Sequence, residues 1–375
     1  MEILILVTGC FIPPALLAWG SGWLVRRWAP RWGLVDRPDE RKDHSNPTPL
    51  GGGLAIWLAV TLFMAGMLLI ALVAPTAPWL PEIARRHLPG VSSQLGPLLA
   101  LLGGATAMMA LGLADDLWGL DWRWRLGVEF GVAAACVLSQ GEDWQLTAFM
   151  PFPQLAWICS VLWIVALVNA FNMLDNMDGA SAGVAIISSL MLVLYVVIPG
   201  ATLEGPQLFV AGFLMVFVGA LLGFLWHNRP PARIFMGDAG SYFVGFCIAI
   251  ATLLATYTDF EGSAVHAIMA PVIIMAVPIY DLVTVMVIRI VEGRSLFKPD
   301  KSHFSHRLVE LGLSRGRAVL TMYLTTATTG LAAILLQQVN LFGAILIILM
   351  TFCVLSLIAI LENTARRQSN TDLGD

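Results

Sequence analysis

Long apolar runs separated by short polar segments dominate the chain from end to end. A bilayer core of about 30 Å is crossed by roughly 20 apolar residues in a helix. By that ruler the pattern predicts about eleven spans, near residues 3–25, 50–73, 95–114, 126–139, 154–172, 180–198, 206–226, 241–257, 264–288, 318–338 and 341–361. The fourth is short and carries Glu129 in its apolar stretch. The first is longer than the core of a signal peptide and is followed by Arg26 and Arg27, so it is expected to be retained as a span. No repeat, low-complexity tract or soluble insert interrupts the series. The expected fold is an all-α integral membrane protein, one polytopic domain over residues 1–375.

Composition agrees. Hydrophobic residues make up 58% of the 375 and charged residues 12%, against about 25% charged in a soluble domain. Thirteen Trp suit a protein with two lipid–water interfaces. The net charge of −4 is too small to indicate a partner, and no nucleic acid is expected. Cys10, Cys136, Cys159, Cys247 and Cys353 all fall in apolar runs without zinc-type spacing, so they are expected to be small hydrophobes outside any disulfide framework.

The basic residues set the orientation. Arg26 to Lys42, Arg123 and Arg125, Arg229 and Arg233, Arg289 to Arg317, and Arg366 and Arg367 follow odd-numbered spans; Arg85 and Arg86 fall on the other face. The positive-inside rule then places the N-terminus outside and the C-terminus in the cytoplasm.

On that map the polar residues converge. Asp115 and Asp116 end the third span, Asn169, Asn172, Asp175 and Asp178 end the fifth, Asp238 follows the seventh, and His303 and His306 follow the ninth, all at cytoplasmic ends. Two acids at a helix C-terminus oppose the macrodipole, a cost a bound cation would remove; two solvated acids are the plainer alternative. The polar residues of Asn169–Gly179 recur every third position, which in a continuous helix places them on one side. Hard oxygen donors in that number suit Mg²⁺, with Mn²⁺ as a substitute. Asp238 lies between Gly237 and Gly240 and could instead be a helix N-cap. Residues 298–307 predict a short helix after Pro299, with His303, His306 and Arg307 on one face and Phe304, Leu308 and Leu311 on the other. It could lie in the interface with its apolar side in lipid and meet an anionic head group, or merely fix topology. The glycines of Pro49–Gly53 could bring backbone N–H groups to a nucleotide or allow close helix packing. Asp281, inside the ninth span, needs a partner or a cavity. His44, His87, His227 and His266 are expected to be loop or packing residues.

In these segments the chain resembles the polyprenyl-phosphate N-acetylhexosamine-1-phosphate transferases, a superfamily that includes the phospho-N-acetylmuramoyl-pentapeptide transferase of peptidoglycan synthesis. Pro49–Gly53, Leu113–Asp116, Asn169–Gly179, Phe235–Ser241 and Pro299–Arg307 run in the family's order. The resemblance implies transfer of a sugar 1-phosphate, in the branch using UDP-N-acetylglucosamine, to undecaprenyl phosphate in the bacterial cytoplasmic membrane. UMP is released and a polysaccharide begun. It implies that Asp115, with Asp116 beside it, activates the lipid phosphate and that Asp175 is needed for activity. It places Asn172 and Asp238 as Mg²⁺ ligands, Asp178 and Phe235 at the uridine pocket, and His303, His306 and Arg307 in a loop contacting the sugar nucleotide. The catalytic loops would lie near 26–49, 115–125, 173–179, 227–240 and 289–317. The implied partners are a UDP-sugar, a polyprenyl phosphate and the bilayer; a homodimer is left open. The sequence departs from the family pattern at Ser305, commonly His, and at Asn176, frequently Gly. The pentapeptide branch and a lipid transporter are the alternative functions.

Overall fold

The computed structural model describes residues 2–36, 47–78, 80, 82–140, 153–197, 206–255, 265–297 and 302–372. Arg37, Arg41, Lys42, His44, Lys298, Pro299, Asp300 and Lys301 lie outside them, as do the side chains of His87, Arg366 and Arg367.

The described residues form α1 (Glu2–Trp28), α2 (Gly52–Val73), α3 (Glu82–Ser93), α4 (Leu95–Trp118), α5 (Trp122–Gln140), α6 (Pro153–Leu174), α7 (Ala180–Val197), α8 (Pro206–Asn228), α9 (Gly237–Leu254), α10 (Ala270–Ile274), α11 (Ala276–Val291), α12 (Phe304–Glu310), α13 (Arg315–Leu335) and α14 (Leu341–Asp372). Two residue pairs, Val35–Asp36 and Thr48–Pro49, make a small antiparallel ribbon, β1 and β2, between α1 and α2.

Every predicted span coincides with a helical segment. Eight are long and apolar enough to cross a membrane among the described residues: α2, α4, α6, α7, α8, α9, α13 with its 3₁₀ extension, and α14. The other three expected spans correspond to α1, α5 and the α10–α11 pair. The ninth span differs from expectation. It begins as a 3₁₀ turn at Val265–Met269, and Met275 separates α10 from α11. Pro278 supplies the reason: it has no N–H to return to the carbonyl of Ile274, so an unbroken ladder cannot cross this point. The amphipathic α3, between the second and third spans, was not predicted; its polar residues place it outside a search for continuous apolar runs.

α9 is the centre of the bundle. It packs against α4, α6 and α2, with α7 and α8 beyond, and 89% of its apolar window is buried, against 11% for α14. Glycines permit the closest approaches. A Cβ on Gly53 would come within 2.1 Å of the Gly240 nitrogen, and one on Gly112 within 2.1 Å of the Asp238 carbonyl oxygen. No side chain fits such gaps, so α2 and α4 meet the first turn of α9 backbone to backbone. The N–H groups of Gly52 and Gly53 donate to the carbonyls of Phe235 and Met236, both at 2.9 Å. Of the two readings of these glycines, the structure realises the packing one.

Candidate active site

The C-terminal turn of α4, the end of α6, the start of α9 and the N-terminal turn of α5 meet at one end of the bundle. Asp115 is buried. Its Oδ1 accepts the Leu120 N–H at 2.7 Å, and its Oδ2 accepts from Arg125 at 2.5 Å and from the Tyr242 hydroxyl at 3.2 Å. It is therefore not one of two solvated acids at a helix end. Asp116 reaches across 122 residues of sequence to accept the N–H groups of Asp238 (2.9 Å) and Ala239 (3.0 Å). Asp116, rather than Asp238, caps α9, and its charge lies at that helix's positive end.

Capping by Asp116 leaves Asp238 available for other contacts from the first turn of α9. Its Oδ1 accepts from Asn172 Nδ2 at 2.6 Å, and its carboxyl lies in hydrogen-bond contact with that of Asp115. Two carboxyls in contact cannot both be charged without a proton or a cation between them.

The remaining predicted residues of this stretch take separate partners. α6 ends at Leu174, so Asn169, Asn172, Asp175 and Asp178 do not share one helical face as expected. A turn closed by the Asp175 N–H on the Asn172 carbonyl (3.3 Å) and by Gly179 at φ 76° redirects the chain into α7. Asn169 Nδ2 donates to buried Glu129 at 2.5 Å. Asp178 accepts the Ala232 N–H at 2.9 Å, and the Gly179 N–H donates to Asn228 Oδ1 at 2.9 Å. The turn is thereby stitched to the loop that carries Phe235, whose own N–H donates to the Pro49 carbonyl at 2.9 Å. Asp175 keeps some solvent access, yet its carboxyl is packed deep in the turn, near the Gly237 backbone. Burial, and then the charge of Asp116, push it up to about 7.

His303 and Arg307 lie in a second cluster, under α12. Asp281 is fully buried and accepts the Phe304 N–H at 2.6 Å, with His303 Nδ1 at 3.2 Å and Arg307 at 3.7 Å. It has the partners its place in an apolar span required. Arg307 is held by protein groups on every side of its guanidinium. Its Nε donates to Glu362 at 2.9 Å, one terminal nitrogen donates to Thr284 at 2.9 Å, and the other donates to the Ser302 carbonyl. Every guanidinium nitrogen already has a protein acceptor, so Arg307 braces the segment. The apolar side of α12 departs from expectation. Phe304 and Leu308 are buried in protein rather than lipid, with Phe304 edge-on to Tyr280 at 5.3 Å. The helix starts at Phe304 with His303 as its N-cap residue. The His303 and His306 rings lie 6.5 Å apart.

Arg125, Tyr242, Glu129, Asn228 and Glu362 belong to these clusters and were not singled out as site residues. Glu129 left a signal, an acid in an apolar run; Arg125 registered only as a topology marker. Tyr242 and Glu362 gave none, because a single polar group near the edge of an apolar run is ordinary until its partner is known. Among the described residues no three His, Cys, Asp or Glu side chains surround one point as a metal would require. The residues nonetheless fit a hard divalent cation. Arg125 offsets one charge at Asp115, while Asp238 has an amide rather than a cation on its other side; the Asn172 amide there offers an oxygen when turned over, with Ser241 Oγ at 3.0 Å able to donate to it.

Comparison with known proteins decides the family. Residues 98–256 match the model of glycosyl transferase family 4. A Bacillus subtilis protein named "Probable undecaprenyl-phosphate N-acetylglucosaminyl 1-phosphate transferase" is 32% identical over 90% of this chain and 86% of its own length. The chain belongs to this transferase family. The decaprenyl-phosphate N-acetylglucosaminephosphotransferase of Mycobacterium tuberculosis is 35% identical over 80% of the chain and 75% of its own. An undecaprenyl-phosphate α-N-acetylglucosaminyl 1-phosphate transferase of Thermotoga maritima is 26% identical over 73% and 72%. The matched region spans α4 to α9 and so includes both helices that carry the touching carboxyls.

Proposed function

We propose that this chain transfers N-acetylglucosamine 1-phosphate from UDP-N-acetylglucosamine to undecaprenyl phosphate, releasing UMP and beginning a cell-envelope polysaccharide. The contact between Asp115 and Asp238, with Asn172 beside them, carries the reading. A reaction that joins two anions needs a site whose own charge demands a cation.

An oxygen of the lipid phosphate forms a bond to the β-phosphorus of the sugar nucleotide. The bond from that phosphorus to the oxygen bridging it to the α-phosphorus breaks, and UMP departs with the electron pair. One phosphoanhydride replaces another, so the barrier lies in bringing anions together and aligning them. Asp115, oriented by Arg125 and Tyr242, positions the lipid phosphate and accepts its proton. Asp238 and Asn172 would hold Mg²⁺, which supplies charge neutralisation between the phosphates. Asp116 fixes the first turn of α9 and thereby Asp238. Asp178 and Phe235, on their stitched loops, face the uridine, and His303 and His306 approach from α12.

The same reading puts the site at the cytoplasmic face of the bacterial inner membrane, with eleven spans and an outward N-terminus. Arg26, Arg27, Arg125, Arg229 and Arg233 lie at the site-bearing end of the spans, as the positive-inside rule requires. A site at the membrane edge lets the isoprenoid stay in lipid while its phosphate meets a soluble nucleotide.

The test is the purified protein with labelled UDP-N-acetylglucosamine and undecaprenyl phosphate, with and without Mg²⁺. Lipid-linked label and UMP should form only with the metal. Full transfer by Asp238→Ala would overturn the site, and a better rate with the muramoyl-pentapeptide donor would overturn the branch.

A further inference from the structure

α12 has anchors on three sides, one of them the Arg307–Glu362 bond to α14. Toward α11, Asp281 holds its first N–H and His303. Toward the catalytic turn, the buried Ser305 Oγ donates a hydrogen bond to Asn176 Oδ1. The Asn176 amide is oriented independently: its Nδ2 donates to the Met173 carbonyl at 2.7 Å, at the C-terminal end of α6, which leaves the oxygen facing Ser305. One amide thus caps the helix that bears Asn172 and holds the helix adjoining His303 and His306. The bond is neutral at both ends, so no change of charge opens it.

From this geometry we infer that Asn176 and Ser305 form a latch that positions α12, and with it His303 and His306, against the sugar-nucleotide side of the site. Neither residue is catalytic. Asn176 lies between Asp175 and Asp178 in sequence, and Ser305 lies between the two histidines, so the distance across the bond sets the spacing between the two groups. Without it α12 retains its anchors to α11 and α14 and loses its register on the turn. The affinity that suffers is the one for the soluble donor. The lipid phosphate, handled at Asp115 on α4, is unaffected.

This inference rests on the transferase reading and is tested by a double-mutant cycle read in two ways. In steady-state transfer, Ser305→Ala and Asn176→Ala should each raise KM for UDP-N-acetylglucosamine by roughly five- to tenfold, the effect of leaving one buried polar partner unmatched. kcat and KM for undecaprenyl phosphate should stay within about twofold. The double variant should be no worse than either single one, and Ser305→Thr, which keeps the hydroxyl, should retain most of the donor affinity. Additive losses, an equal rise in both KM values, or no rise at all would overturn the latch. Thermal unfolding of the same four proteins in detergent reads the bond without the reaction. Non-additive shifts in Tm support it and additive shifts refute it, even if the wild-type protein made no lipid-linked sugar and the transferase reading itself failed.

Discussion

Two buried ionic clusters of this protein are built from similar residues to opposite ends. Under α12, Asp281, Arg307, Glu362 and His303 are paired, with Tyr280 and Thr284 adding hydrogen bonds. Around the first turn of α9, Asp115, Asp116, Asp175 and Asp238 converge, and Arg125 on Asp115 is the guanidinium drawn in. In the first cluster each acid has a basic or imidazole partner from the fold, and the cluster holds elements together. The second keeps an excess of negative charge that something from outside must neutralise. Similar side chains become a brace or a reaction site according to how far the fold itself supplies partners for their charges.

The largest expected effect comes from the cluster around α9. Asp238→Ala and Asp115→Asn should each lower the transfer rate by about a hundredfold or more, the scale on which lost transition-state electrostatics acts. Asp238→Ala should cost little stability and even relieve the contact of the two acids, whereas Asp115→Asn also gives up the ion pair with Arg125. A rate within tenfold of wild type would dissolve the distinction between the clusters.

Breaking the cluster under α12 should do the reverse. Glu362→Ala leaves Arg307 as a buried, partly unpaired cation, which costs about 3–5 kcal/mol when one partner of such a pair is removed. Thermal unfolding should show it as a clear fall in Tm. Replacing both members with apolar residues, Arg307→Met with Glu362→Leu, should recover most of the loss. A double variant as unstable as Glu362→Ala would show that the pair does more than cancel charge.

A smaller effect separates the clusters by ligand. Mg²⁺ at a hundred times its dissociation constant should stabilise the wild-type protein by about 2.7 kcal/mol. The gain should persist in Glu362→Ala and vanish in Asp238→Ala. Equal stabilisation of all three would place the ion elsewhere.

The smallest is a pH slope. Asp175 titrates near 7 in the fold, well above an ordinary carboxyl, so between about pH 4 and 7 the folded state binds more protons than the unfolded chain. Without metal, stability should therefore fall as pH rises through that window and level off above it, and Asp175→Asn should flatten the slope. An unchanged slope in that variant would assign it to another acid.

The sequence by itself determined the apolar helical segments and their order, though not α3 or the break in the ninth, because a segment that must satisfy its backbone inside lipid has little choice but to be a helix of bilayer length. It also marked Asp115, Asn172 and Asp238 as belonging together, since charge at the end of an apolar run is costly and rarely idle. Tertiary structure decided the rest. That Asp116 caps a helix 122 residues away, that Arg307 is a brace, that Gly52 and Gly53 serve packing, and that Asn176 meets Ser305 all depend on which surfaces α9 brings into contact. A hydrogen bond is a property of a pair, and periodicity along one chain carries no information about which distant residue will complete it.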